Sequence, residues 1–425
     1  MKVLLTSTLY PTPQAPKIVG GAEIFARRFA EGLVQRGDEV EVIRAASTPE
    51  QAPETCNGIN IYSAPVRNVY LPFTEQKNIA LRSIWHAIDD WQMQAPLIAE
   101  RIRAFKPDVL HSNNLSGLTT AIWRVAAQLG VPVLHTLHDY YLTCPRCSRF
   151  DHGRSCEHTC TSCGILTFHR KRATHWLSAV VGVSERVLSI HTDMGMFAET
   201  PIRTVIRNAS TEPPQSPYPR PICTTEVTFG FIGRLTEEKG IDNLMRALAL
   251  LPPDRIRMMI AGRVSDEEQR RLRTLAPDAR IEFMGFVAPD DFYKQVDVVV
   301  APSIWHDPGP LVVADAKAAG RPLLGTRFGG MPEVIQHGVT GWLTEADPQS
   351  LAKSMLAVAA DPHKIDEISR RLIADTNKWI FSDVLSSYKN LYEQLREQRM
   401  SQVRAATAEA PQGAAIVGKE RLIPR

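Results

Sequence analysis

No stretch of this 425-residue chain approaches the roughly 18 consecutive apolar residues that a membrane-spanning helix requires. Any contact with a membrane is therefore peripheral. Charge of one sign is equally scarce. Lys and Arg number 49 against 46 Asp and Glu, a net +3, and the cations are not interleaved with aromatics, so composition excludes nucleic acid as a partner. No unit recurs at a period of 20 to 50 residues, which excludes a solenoid. With 44% hydrophobic and 22% charged residues there is no case for disorder of the main body. No export signal is expected, since Met1 to Leu5 is a short apolar run that Thr6, Ser7 and Thr8 interrupt. It is expected as a buried first strand. In such a chain seven cysteines point to reduced thiols or a metal site before disulfides.

The length suits two domains of about 200 residues and hence a cleft between them. Short apolar runs at Lys2 to Ser7, Glu39 to Arg44, Asp108 to Asn113, Val131 to His138, Ala179 to Val183 and Arg203 to Ile206 read as strands. Between the first two lies the helix Ala22 to Arg36, with Ile24, Phe25, Phe29 and Leu33 at helical spacing and Gly37 as its stop. Such alternation favours parallel sheets with crossover helices. Five prolines within Pro213 to Pro221 exclude helix and central strand and mark a connector. The pattern then restarts with Val227 to Ile232, the helix Ile241 to Leu251, Arg257 to Ala261, Ile281 to Met284, Val296 to Ala301 and Pro322 to Thr326. The fold class is α/β with two Rossmann-like domains, 1–212 and 222–378. An amphipathic helix, Ser382 to Arg399, follows within 379–399, and 400–425 is expected as a flexible tail.

Three connections carry candidate chemistry. Gly20-Gly21 precedes a helix, where backbone N–H groups and the helix dipole suit an anion; a tight turn explains the glycines equally well. Gly233, Arg234, Lys239 and Gly240 follow a strand, and the two cations suit a diphosphate unless they are ordinary loop charges. Asp307 and Asp315 bracket a loop and helix start, with the amides of Gly309 and Leu311 near the helix N-terminus free for phosphate.

Together with Pro107-Asp-Val-Leu-His111, His135-Thr-Leu-His138-Asp, Val183-Ser-Glu185, Asn208, Gly285-Phe-Val287 and Gly329-Gly-Met-Pro-Glu333, these segments resemble the retaining family 4 glycosyltransferases of the GT-B fold. The resemblance covers Met1 to about Arg399. It implies a nucleotide-sugar-binding C-terminal domain, an N-terminal acceptor domain and a last helix that crosses back to the first domain. It further implies Arg234 and Lys239 at the donor diphosphate, Val287 near the base, Asp315 at the ribose, Asp307 orienting the transferred sugar and His138 facing that sugar. The alternative for His138 is a strand-end histidine that orders a loop. His135, on the same strand, is read onto the same face and matches less well. Aspartates stand at both positions of the family's glutamate pair, each about 1.5 Å shorter in reach, which points to an altered donor pocket.

The implied activity is a hexosyl transfer from a UDP- or GDP-sugar to a hydroxyl of a glycan or lipid-linked acceptor, in cell-surface polysaccharide or glycoconjugate assembly. The chain lacks the Asp-x-Asp pair with which metal-dependent glycosyltransferases hold Mg²⁺ or Mn²⁺, so no catalytic metal is expected. A sugar-nucleotide epimerase and a catalytically weakened nucleotide-sugar-binding protein are the alternatives.

Cys144, Cys147, Cys156, Cys160 and Cys163 lie in one loop, 144–163. Four thiolates at such spacing suit a structural zinc; free thiols, a disulfide or an iron–sulfur cluster remain the alternatives. His169-Arg-Lys-Arg172 beside Trp176 and Leu177 reads either as a solvated face or as a contact with anionic lipid. The expected location is cytoplasmic, with peripheral contact at the inner face of the membrane.

Overall fold

The computed structural model describes residues 1–16, 20–47, 53–72, 79–90, 95–210, 226–375 and 381–408. The proline-rich connector expected at 213–221 lies outside the described residues. In the first half the strands are β1 Lys2–Ser7, β2 Glu39–Ala46, β3 Glu54–Cys56, β4 Ile59–Pro65, β5 Val109–Ser112, β6 Val133–Leu137, β7 Phe150–Asp151, β8 Arg154–Ser155, β9 Ala179–Gly182 and β10 Ile202–Val205. Except for the separate hairpin β7–β8, they form one sheet in the order β10-β9-β6-β5-β1-β2-β4-β3. All pairings in that sheet are parallel except β3 with β4.

Period-two alternation divides the apolar residues between the two faces. Leu4, Leu110 and Val133 enter one buried cluster, while Val3, Leu5, Val109 and Leu134 enter the other. The helix Gly21–Gln35 lays Phe25, Phe29 and Leu33 on the second face.

The second half supplies β11 Val227–Ile232, β12 Ile256–Ala261, β13 Arg280–Gly285, β14 Val298–Ala301, β15 Leu323–Thr326 and β16 Gly341–Thr344. They form an all-parallel sheet ordered β13-β12-β11-β14-β15-β16, the doubly wound Rossmann order. Strand order reverses between β11 and β14, and the crevice beyond their C-terminal ends is where such sheets bind ligands.

The last helix, Phe381–Ala408, returns to the first sheet. Its Val384, Leu385, Tyr388, Leu391, Tyr392 and Leu395 share a core with Val3 and Phe29. Burying each such side chain is worth about 1.5–3 kcal/mol. The helix also satisfies polar groups inside that core, since Tyr392 Oη lies 2.6 Å from His111 Nδ1 and Tyr388 Oη 3.0 Å from Thr136 Oγ1. It continues past Arg399 to Ala408, so residues 400–408 are helical where a flexible tail was expected, Ala405, Ala406 and Ala408 being strong helix formers; the rest of that stretch lies outside the described residues.

Candidate functional site

The crevice at the switch of the second sheet is built from two loops. One follows β11 and carries Arg234 and Lys239; the other follows β14 and carries Trp305, His306 and Asp307. Their approach depends on Gly240, which has φ +77° and whose added Cβ would lie 1.8 Å from the Pro302 carbonyl oxygen. Lys239 Nζ is ion-paired with the buried Asp307 carboxylate and lies 5.5 Å from the Trp305 ring centre. Arg234 is half exposed and pairs with Glu238 at 3.4 Å.

Next to them begins the helix Leu311–Ala318. Among the described residues neither the Gly309 nor the Leu311 N–H is engaged in a hydrogen bond, leaving two donors at a positive helix end. Asn208 of the first half donates to the Gly309 carbonyl at 2.8 Å, and Ser210 donates to Asp315 Oδ1 at 2.7 Å. Val287 is partly buried against the core cluster that also takes in Val313 and Ala316, and its neighbour Phe286 is exposed under the Arg263 guanidinium, 5.0 Å from the ring centre. Lys239, Asp307, Gly309, Leu311 and Asp315 thus stand close together in the loop after β11, the loop after β14 and the helix that follows it.

From the first half, His138 follows β6 and donates its Nε2–H to Asn113 Oδ1, 3.1 Å away, while its ring centre lies 4.8 Å from that of Phe25. Burial lowers its pKa to about 3, so the ring is neutral at physiological pH. His135 does not share its face. It contacts Trp123 and Ser112 on the opposite side of the sheet, because three positions along a strand reverse the side-chain direction.

The anion site expected at Gly20 is filled from within. Its N–H donates to Glu23 at 2.7 Å, and burial raises the pKa of that carboxyl while Arg234 across the crevice opposes the rise. Gly21 instead provides closeness, since a Cβ there would come 2.8 Å from Leu311 Cδ1. The two helix starts therefore face each other.

Several contacts across the crevice were not anticipated from the sequence. Glu333 accepts the N–H groups of Glu185 and Arg186, each at 2.8 Å, and pairs with Arg207 at 3.1 Å. It caps the helix Glu185–Thr192 of the opposite half, a role its Gly-Gly-Met-Pro-Glu motif gives no hint of. Tyr140 donates to the His306 carbonyl at 2.7 Å, and Ser155 Oγ accepts the His306 N–H at 3.1 Å. The tyrosine was visible in sequence only as part of the loop after His138.

A cleft of about 1160 Å³ continues from His306 along the cysteine loop and the helix Glu185–Thr192. Arg149, Lys171 and Arg186 line it together with Ile165, Phe168 and Met196. The basic run 169–172 is not one face: Arg170 is fully buried between Asp89 and Asp90, at 3.7 and 2.9 Å, and Leu177 is buried too. Lys171 and Arg172 stay exposed, Arg172 over the Phe168 ring.

The five cysteines do not act as one group either. Cys147 turns toward Ser116, 3.6 Å away, and packs against the first core. Among the described residues no three His, Cys, Asp or Glu side chains stand arranged around one point as metal ligands would.

A family model described as Glycosyltransferase Family 4 matches residues 19–207, and one described as Glycosyl transferases group 1 matches residues 226–361. A Klebsiella pneumoniae protein, named only as an uncharacterized 42.6 kDa protein in the cps region, is 31% identical over 336 residues, 79% of this chain and 87% of that one. Among solved structures, sucrose-phosphate synthase from Thermosynechococcus elongatus superposes with a TM-score of 0.71 at 18% identity, covering 93% of this chain and 98% of its own. Anabaena HepE, in complex with UDP and glucose, gives a TM-score of 0.64 at 20% identity, covering 93% and 100%. At these identities the structures speak for the fold, two Rossmann-like domains of GT-B type.

Proposed function

This chain belongs to the family 4, group 1 glycosyltransferases, and from that premise we propose that it is a retaining, metal-independent hexosyltransferase using a UDP- or GDP-sugar. The observation that carries this reading is the Lys239–Asp307 pair beside the uncommitted N–H groups of Gly309 and Leu311. A diphosphate fits between the ammonium, the Arg234 guanidinium and the helix start, where charge-assisted bonds to oxygen are strongest. Asp307, once Lys239 turns to the phosphate, is left to accept hydroxyls of the sugar. Asp315 meets the ribose and Val287 lies near the base. Neutral His138, its Nε2–H held by Asn113, offers Nδ1 as a hydrogen-bond acceptor to a sugar hydroxyl without adding charge.

The transfer rests on positioning and on stabilising the departing nucleoside diphosphate while the sugar gains oxocarbenium character. Glu333 capping the helix Glu185–Thr192 holds the two halves together and limits access of water.

The acceptor is read as a lipid-linked glycan held in the 1160 Å³ cleft, with Arg186 beside His306 at one end and the exposed Ile165 and Phe168 toward a membrane surface. The relative from a cps region agrees with a role in surface-polysaccharide assembly. No helix among the described residues is long and apolar enough to cross a membrane, so contact is peripheral and at the cytoplasmic face in this reading.

Thermal-shift screening against UDP-, GDP- and ADP-sugars, with and without EDTA, is the direct test. Stabilisation by one nucleotide sugar, indifferent to chelator and lost in Arg234→Ala, supports the reading. Folded protein that responds to none overturns it, and turnover to a free epimer without acceptor replaces it with the epimerase. NMR of the product's anomeric centre tests retention.

A further inference from the structure

Arg149 is buried, yet among the described residues no carboxylate pairs with it. Its terminal N–H groups go to neutral acceptors: the Thr159 hydroxyl at 3.0 Å, the Met194 thioether at 3.5 Å, and the Cys156 and Glu157 carbonyls at 2.9 and 3.2 Å. Its Nε–H is buried without a partner. The other buried arginines of this half differ, since Arg44 pairs with Glu54 and Arg170 with Asp89 and Asp90. Arginine keeps its proton, so a buried guanidinium held by dipoles alone retains its full charge. An anion beside it gains more than at an exposed site.

Arg149 lines the 1160 Å³ cleft, and Lys171 and Arg186 line it too. Neither of their side chains meets a carboxylate among the described residues. Arg186 donates to His306 Nε2 at 3.4 Å, which makes that nitrogen the acceptor and leaves Nδ1–H of the buried ring as a donor, again without a partner. Glu157 and Asp193 share the lining; both are exposed, and neither pairs with these three cations among the described residues. The same lining carries Ile165 and Phe168, 70% and 51% exposed. Large apolar side chains left in water beside unpaired cations suit a ligand that is anionic at one place and hydrocarbon at another.

A carboxylate would satisfy one guanidinium, whereas a diphosphate has enough charged oxygens to meet all three cations together. We propose that the acceptor is a sugar joined through a diphosphate to an apolar chain, with the diphosphate held by Arg149, Lys171 and Arg186 and the chain lying on Ile165 and Phe168. Because His306 directly precedes Asp307, the Arg186 end of the cleft adjoins the residue assigned to the transferred sugar. That this ligand is the acceptor rests on the transferase reading; that the cleft takes a diphosphate on a hydrocarbon chain does not.

The probe is farnesyl diphosphate, titrated by calorimetry into the full chain with UDP and GDP in excess, so that the donor site is filled. Farnesol and inorganic pyrophosphate, its two halves, should each bind about tenfold more weakly or worse. Lys171→Gln and Arg186→Gln should each weaken farnesyl diphosphate about fivefold or more. Arg270→Ala, an exposed cation of the helix Asp266–Leu275, leaves it unchanged. Arg149→Met is expected to cost at least as much; should it fail to fold, the two glutamine variants still decide. Farnesol that binds as well as farnesyl diphosphate overturns the proposal, and so does binding that both glutamine variants leave intact. Pyrophosphate that binds as well as the whole probe also overturns it and makes the cleft a site for free phosphate. Folded protein that binds nucleotide sugar but not farnesyl diphosphate removes this inference and leaves the transferase; the reverse pattern removes the transferase and leaves the cleft.

Discussion

Lys239 and Asp307 neutralise each other across the crevice, one from the loop after β11 and the other from the loop after β14. Without ligand, the cation assigned to the diphosphate and the acid assigned to the sugar are each other's partner. In the proposed reading, donor binding exchanges this one charge-assisted contact for two, Lys239 with the diphosphate and Asp307 with the sugar hydroxyls.

That exchange separates two variants. Lys239→Met should weaken binding of the free nucleoside diphosphate by about tenfold to a hundredfold, the worth of a charged hydrogen bond. Asp307→Asn should leave nucleotide affinity nearly unchanged and weaken only the nucleotide sugar. Calorimetric titration of both ligands distinguishes them, and equal losses for both variants would remove the division of roles.

Gly240→Ala is expected to disrupt the site without touching a ligand. A Cβ there meets a backbone carbonyl, which cannot rotate away, and alanine at φ +77° is itself strained. The expected loss of stability is about 2 kcal/mol or more, read by urea denaturation, together with loss of donor binding. A variant of unchanged stability that binds nucleotide normally would contradict the assigned tightness.

Glu333 joins the halves through two backbone N–H groups and Arg207. Glu333→Ala takes the acceptor away from the Glu185 and Arg186 N–H groups, Ser184 still capping Val187, and should cost about 1–3 kcal/mol. Small-angle scattering should record a more open average shape. If the scattering is unaltered, the cap is not what holds the crevice.

Stability should fall with acid. Burial lowers the pKa of His86, His135 and His138 to about 3, that of His191 to about 4, and that of His111 well below normal. The unfolded chain binds protons near pH 6.5 that the folded chain refuses, so stability is full above that pH and is lost as pH falls from 6.5 toward 3. Each histidine contributes on the order of 1–2 kcal/mol by pH 5. Asp89, raised to about 7 by burial, acts in the opposite sense between pH 4 and 7 and offsets part of this. Denaturant midpoints measured from pH 8 to 5 check the slope; a flat or rising profile toward pH 5 refutes it.

Tyr392→Phe removes the hydroxyl 2.6 Å from His111 and leaves a fully buried imidazole nitrogen without that partner. The expected cost is about 1–3 kcal/mol. Hydrogen exchange should also show faster opening of the helix Phe381–Ala408. Exchange rates that match the unaltered chain would mean the helix is held by its apolar contacts alone.

Much of this architecture was written in the chain locally. Short apolar runs give the parallel strands almost residue for residue, as with Lys2–Ser7 and Val227–Ile232, because a strand buried on both faces tolerates little else. β3 and β4 were overlooked, although Asn57-Gly58 between them, both at positive φ, is a hairpin turn signal. The residues proposed for the donor stood out as motifs because short loops at strand ends leave few positions able to meet a ligand.

Pairings between distant segments were decided only by the tertiary fold. The sequence does not tell that Asp307 meets Lys239, that Glu333 caps a helix of the other half, that Arg170 is buried between Asp89 and Asp90, or that Cys147 parts from its neighbours. Periodicity reports which way a side chain points relative to its own element. What it meets there depends on how the elements pack, and that is a property of the whole chain.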